Sequence, residues 1–259
     1  IRGERYLAES PRGTVLVCHG FKGFAHWCFF PYLAQSLARS GLNAMTFDFS
    51  GSGIGPDRES FTEPEAFSTN TFSRELADLE TLLDYARRSK WMNEKFGLFG
   101  HSRGGGTSIL FAGADRTDVA ALVTWAAISH ANRWNAEDAV EWRLRGFREV
   151  VNSRTGETLL LGTDLLDEVE THLGTKVNIL AAARKVRAPW LIVHGTADET
   201  VPHSEAEELH GSSGQVSTLR LVEGGNHGFG ASHPLTEAPP LLDRVVDETV
   251  KFFLDHAAE

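Results

Sequence analysis

What this 259-residue chain has little of already excludes much. There are two cysteines, Cys18 inside an apolar run and Cys28 shortly after it. They are too few for a disulfide framework and read as small buried side chains. That usage fits a reducing cytosol, while a chain starting at Ile1 without a methionine leaves a secretory leader open. No run of about 18 apolar residues occurs, so no membrane-spanning helix is expected. Basic residues are outnumbered, 25 Lys and Arg against 35 Asp and Glu, for a formal net charge of −10. Nucleic acids and anionic membranes need a basic face, so neither is expected as a partner. His19, His101, His194 and Cys18 form no recognised ligand spacing, so no metal site is expected. Internal repeats and low-complexity tracts are missing too.

What remains is ordinary globular material, 41% hydrophobic and 23% charged. A chain of this length can bury a large core as one domain. Thr14 to Cys18 is a continuous apolar, β-branched run, the pattern of a strand covered on both faces. Pro31 to Arg39 has helical spacing and stops at Ser40-Gly41. Leu42 to Phe49 reads as the next strand, and residues 50 to 56 as a glycine-rich loop. Residues 57 to 70 read as polar and irregular. Phe72, Leu76, Leu79, Leu82, Leu83 and Tyr85 mark an amphipathic helix over Thr71 to Arg88. Strands at Phe96–Phe99 and Val119–Ala127 bracket a further helix, giving a β-α rhythm. An α/β fold follows, with a mostly parallel twisted sheet and helices on both faces.

Ser129 to Val186 breaks the rhythm with helices near 136–146 and 165–173 and a hairpin over 149–161. It is too short and too charged to hold a core alone. The expected organisation is a core of residues 1–128 and 188–259, with 129–187 inserted as a small lid above the sheet. The rhythm resumes with a strand at Trp190–Val193, a short acidic helix, a strand at Ser217–Val222 and a helix opened by Pro239-Pro240.

One turn organises the polar residues. Phe96 to Phe99 runs into Gly100-His101-Ser102-Arg103-Gly104 and then into an apolar helix. A serine there sits on a sharp strand-to-helix turn with its hydroxyl pushed outward. Gly100 and Gly104 are needed because side chains there would collide with the neighbouring strand or helix. His19-Gly20-Phe21, Asp48, Asp198 and His227 also follow apolar strands, so all converge at the carboxyl edge where parallel sheets bind ligands.

The order Ser102, Asp198, His227, with a His-Gly-Phe turn after the first apolar strand, resembles the α/β-hydrolase superfamily. Phe47 to Gly51, Gly100 to Gly105, His194-Gly195-Thr196 and Glu223-Gly224 are similar to carboxylesterases, cinnamoyl (feruloyl) esterases and serine aminopeptidase-like relatives. The resemblance implies a serine carboxylic-ester hydrolase without cofactor, acting on small acyl or aryl esters, with a peptidase or amidase as the alternative. A non-catalytic binding protein would be expected to have lost one of the three residues. His227 would take the Ser102 proton, Asp198 would orient the imidazole, and the backbone N–H groups of Phe21 and Arg103 would receive the oxyanion.

Other residues compete. His233 lies six positions beyond His227 and is the alternative base. His101 reads as a structural or pocket-wall residue, and His19 and His194 as loop-bonding residues. Asp48 reads as a brace for its own glycine-rich turn. The Arg103 side chain either pairs with an acid behind the loop or faces the pocket. Trp134, Trp142 and Phe147 would line an acyl or aryl pocket beneath the lid, or only anchor the insertion.

Overall fold

The computed structural model describes residues 1–152 and 156–258, and its sheet is built around the most apolar strands. The chain enters through β1 (Arg2–Tyr6), β2 (Thr14–Cys18), α1 (Phe30–Arg39) and β3 (Asn43–Asp48). It continues through α2 (Pro64–Ser68), α3 (Phe72–Arg88), β4 (Phe96–His101), α4 (Arg103–Ala112) and β5 (Val119–Trp125). Next come α5 (Ala136–Arg145), β6 (Phe147–Val151), β7 (Thr158–Gly162), α6 (Asp164–His172) and α7 (Ile179–Ala183). The last elements are β8 (Trp190–Gly195), α8 (Ser204–Ser212), β9 (Ser217–Val222) and α9 (Pro240–His256).

Seven strands form one sheet in the order β1-β3-β2-β4-β5-β8-β9. Every neighbouring pair is parallel except β1 with β3. Side chains alternate across β2: Leu16 and Cys18 join the layer of α3, α4 and α8, whereas Val15 and Val17 join that of α1 and α9. Both faces are therefore covered, which is why the central strands are buried throughout and mostly apolar.

The expected strands and helices of the core are present within a few residues of their anticipated bounds. Three elements were not anticipated. β1 (Arg-Gly-Glu-Arg-Tyr) is a charged edge strand, half out of water, and carries little apolar signal. α2 falls in the stretch expected to be irregular, and its five residues are too few for a period to register. α7 is equally short and packs on α4.

Between β5 and β8, the expected hairpin forms as β6 and β7, paired antiparallel from Phe147↔Gly162 to Val151↔Thr158. Its turn residues Ser153, Arg154 and Thr155 lie outside the described residues. α5 is capped at one end by Asn135, which accepts from the Asp138 amide, and at the other by left-handed Gly146 (φ 76°). β7 packs on α2, and α6 reaches the start of α3. There Glu168 accepts from the amides of Phe72 (2.7 Å) and Ser73 (2.8 Å), two N–H groups that a helix start leaves without partners. A carboxylate also suits the positive end of the α3 dipole. Replacing Glu168 with Ala is expected to cost about 1–2 kcal/mol, as loss of a helix cap does. Thermal unfolding checks this, and an unchanged midpoint would remove Glu168 from the account of how the insertion is attached.

Candidate active site

Ser102 links β4 to α4 with φ 56° and ψ −123°, a conformation that non-glycine residues avoid. The turn is held by its neighbours: the Ser102 amide donates to the Trp125 carbonyl (2.9 Å), and the Ser102 carbonyl accepts from Gly106 and Ile128. A Cβ on Gly100 would strike the Gly104 carbonyl, and one on Gly104 would strike the His19 carbonyl at the end of β2. Close backbone packing therefore fixes where the serine stands.

Asp198 lies just beyond β8 with its side chain withdrawn from solvent. Its Oδ1 accepts from the amides of Thr200 (2.8 Å) and Val201 (3.0 Å). Its Oδ2 meets His227 Nδ1 at 2.8 Å. A carboxylate only accepts, so Nδ1 carries the proton and Nε2 is the acceptor of the ring. Burial pushes the Asp198 pKa up, but the hydrogen bonds from His194 and His227 outweigh it and leave the carboxyl well below the usual range.

His194 is a second imidazole on the acid, a contact that the sequence did not disclose. Fully buried, it sets Nε2 3.3 Å from Asp198 Oδ2 and 2.9 Å from the Val201 carbonyl. His101 lies on the other side of His227, with ring centroids 4.6 Å apart and its Nε2 donating to the His227 carbonyl (2.9 Å). Burial first, and the neighbouring His227 second, push the His101 pKa down to about 3, so this ring is neutral near pH 7. Phe229 wedges against Trp125 (5.3 Å) and anchors the loop that carries His227.

Ser102, His227, Phe21 and Arg103 line one cavity of about 640 Å³ beyond the carboxyl ends of the strands. The Arg103 amide is the first of α4, one of those a helix leaves unpaired. Its side chain turns away from bulk water. Nε lies 3.0 Å from Glu75 Oε1, Nη2 donates to Asn70 Oδ1 (2.6 Å), and the guanidinium lies over Phe72 (4.3 Å) and near Phe21 (5.3 Å). Glu75 also accepts from Thr107, and Asn70 donates to the Gly51 carbonyl (2.8 Å). Of the two expectations for Arg103, pairing with an acid behind the loop is the one observed.

Trp134 and Trp142 both line the cavity and meet edge to face (5.1 Å). Phe147 does not: its ring lies beneath the Arg145 guanidinium (4.7 Å). His233 is also elsewhere, with Nδ1 accepting from the Cys28 amide (2.9 Å) and Nε2 3.6 Å from Glu59. Asp48 does not brace its own turn. It accepts from the Ala25 amide (2.7 Å), and Asp78 holds the glycine-rich turn through the Ser50 amide (2.7 Å). His19 bonds within loops as expected, bridging the Gly20 carbonyl and the Phe49 amide. Trp27, Phe72 and Ile128 also line the cavity, although no motif marks them. Among the described residues no cluster of His, Cys, Asp or Glu could hold a metal, and no helix is long and apolar enough to cross a membrane.

A family model described as "Serine aminopeptidase, S33" matches residues 9–170. An uncharacterized protein, YfhR, of Salmonella typhi is 24% identical over 229 residues, covering 85% of this chain. The chain spans 65% of the length of that relative and of its Salmonella typhimurium counterpart. Among solved structures, a monoacylglycerol lipase of Paleococcus ferrophilus aligns with TM-score 0.72 and 17% identity over 98% of each chain. Est1E of Butyrivibrio proteoclasticus with bound ferulic acid aligns with TM-score 0.73 and 18% identity, covering 98% of this chain and 94% of that one. An esterase domain from Rhodothermus marinus gives TM-score 0.66 and 17% identity over 99% and 93%. At these identities the structural likenesses establish the α/β-hydrolase fold.

Two expectations follow from the geometry. Glu75→Gln strands a buried guanidinium and should cost about 3–5 kcal/mol, seen as a lower urea midpoint. Arg103→Met combined with Glu75→Leu should recover much of that loss, and a double variant no better than the single would refute the pairing argument. Folding lowers the Asp198 pKa from its ordinary 3.8. Its carboxylate therefore adds stability that is present above about pH 4 and lost as pH falls below it. Asp198→Asn should flatten urea stability between about pH 2 and pH 5, whereas a slope equal to wild type would contradict the assignment.

Proposed function

The chain belongs to the serine aminopeptidase family of α/β hydrolases, and on that premise we propose that it hydrolyses carboxylic esters through an acyl-enzyme on Ser102. The supporting observation is the 2.8 Å hydrogen bond between the buried Asp198 carboxylate and His227, beside a cavity that also exposes the strained Ser102 turn.

The serine hydroxyl is a weak nucleophile near neutral pH, so attack requires a base. His227 Nε2 takes the hydroxyl proton as Oγ bonds to the ester carbonyl carbon. The carbonyl oxygen becomes an anion held by the amides of Phe21 and Arg103, where each such donor contributes about 3–4 kcal/mol. Collapse expels the alcohol, which receives the proton from His227. Water then repeats the sequence with His227 as base, releasing the acid and restoring the hydroxyl. Asp198 fixes the His227 tautomer and stabilises the imidazolium. No step calls for a cofactor. The segment 129–187 acts as a lid in this reading, with Trp134 and Trp142 presenting an apolar wall to a small acyl or aryl group.

An ester is favoured over an aminopeptidase substrate by the charges around the cavity. An N-terminal ammonium needs an uncommitted carboxylate. Among the described residues the acidic side chain lining the wall is Glu149, and its Oε1 is held by Arg145 at 2.6 Å. Short-chain p-nitrophenyl esters should therefore exceed aminoacyl anilides in kcat/KM by at least about 100-fold. Ser102→Ala should lower ester turnover by at least about 10³-fold, consistent with losses on removing such nucleophiles. A fluorophosphonate should label wild type but not Ser102→Ala. Labelling elsewhere, or faster anilide cleavage, would overturn the reading.

A further inference from the structure

Charge in the cavity runs against charge in the chain. The whole sequence carries 25 Lys and Arg against 35 Asp and Glu. Among the described residues, the charged cavity lining is Lys22, Arg103, Arg133 and Arg148 against Glu149 alone. All of these but Arg148 have a partner atom within 3.0 Å, Lys22 on the Val151 carbonyl among them. Arg103 is tied to Glu75, Arg133 to Glu205, and Glu149 to Arg145. Arg148 is held differently. Its contact with Asp138 is 3.6 Å long between two side chains 37% and 43% exposed, so water screens it and the head is loosely held.

The backbone nevertheless aims Arg148 inward. Along β6 and beyond it, Arg148, Val150 and Asn152 share one face by the strand period. Val150 packs on the core and Asn152 is buried, so that face looks into the molecule. The guanidinium lies 5.7 Å from the centre of the Trp142 ring, which Trp134 meets edge-on. An aromatic wall thus carries a planar cation within the cavity that holds Ser102.

From this juxtaposition we infer that the cavity selects esters bearing a carboxylate, which Arg148 receives. The inference rests on the esterase reading and narrows its substrate class. A guanidinium presents paired donors matching the two oxygens of a carboxylate. Arg103 and Arg133 are held by Glu75 and Glu205, which leaves Arg148, 3.6 Å from Asp138, as the guanidinium of the lining best placed to meet a substrate anion. The carboxylate can belong to the acyl part or to the alcohol part of the ester.

Two kinetic arms distinguish these sources. In the first, mono-p-nitrophenyl succinate, glutarate and adipate are compared with p-nitrophenyl butanoate, pentanoate and hexanoate. In the second, 4-acetoxybenzoate is compared with phenyl acetate after correction for intrinsic ester reactivity. The charged ester should exceed its neutral counterpart in kcat/KM at least 10-fold in one arm. That arm identifies the charged part, and 0.5 M NaCl should shrink the ratio. Arg148→Met should bring the ratio to about one, while Arg148→Lys should keep it above one. A ratio at or below one in both arms of wild type overturns the inference and leaves the esterase reading intact. So does an unchanged ratio in Arg148→Met. If neither charged nor neutral esters are hydrolysed, both fall together.

Discussion

The backbone of Ser102 sits where an L-residue is strained, and the rest of the site depends on keeping it there. Three kinds of contact oppose relaxation. Hydrogen bonds from β5 fix the turn, glycines at 100 and 104 let strand and helix close upon it, and the Arg103 side chain anchors the first turn of α4. That last contact joins four segments at once, because Glu75 comes from α3, Asn70 from the stretch before it, and Phe21 from the loop after β2. A buried charge pair is an expensive way to hold a fold together, and a hydrophobic pair of equal volume often stabilises as well. A charge pair has the advantage of direction: it fixes how the first helical amide is aimed.

Asp198 and His227 obey the same logic of over-determination. Asp198 receives two backbone amides on one oxygen and faces two imidazoles with the other. His227 is fixed by its own ring bond to Asp198 and by His101 on its carbonyl. Neutral His101 adds no competing charge beside the His227 imidazole. Each of these groups is thus held by more than one contact.

The core was legible in the sequence because its signals are local. Four consecutive apolar residues after Thr14 declare a strand, and Phe72 to Arg88 repeats at the helical period. The serine turn was legible because glycines stand where backbones touch. Short elements were not: α2 and α7 have five residues each, and β1 is a charged edge strand whose partner lies some forty residues away. Nor could spacing reveal that Arg103 meets Glu75, that His194 shares Asp198, or that Phe147 turns out of the cavity while Arg148 turns in. Those facts depend on how separate elements are stacked. Asp48 was misjudged for a related reason, since it bonds across to the loop after β2 rather than along its own chain.

Glu168 carries a consequence that reaches past the stability of a helix end. It grips the amides of Phe72 and Ser73, the Phe72 ring lies 4.3 Å from the Arg103 guanidinium, and Arg103 follows Ser102 in the chain. α6 and the serine turn are therefore joined by an unbroken mechanical linkage of four residues. A swing of α6 away from the core has either to break the carboxylate's grip or to drag the aromatic ring off the cation, so a movement of this helix and a disturbance of the serine turn are not independent events.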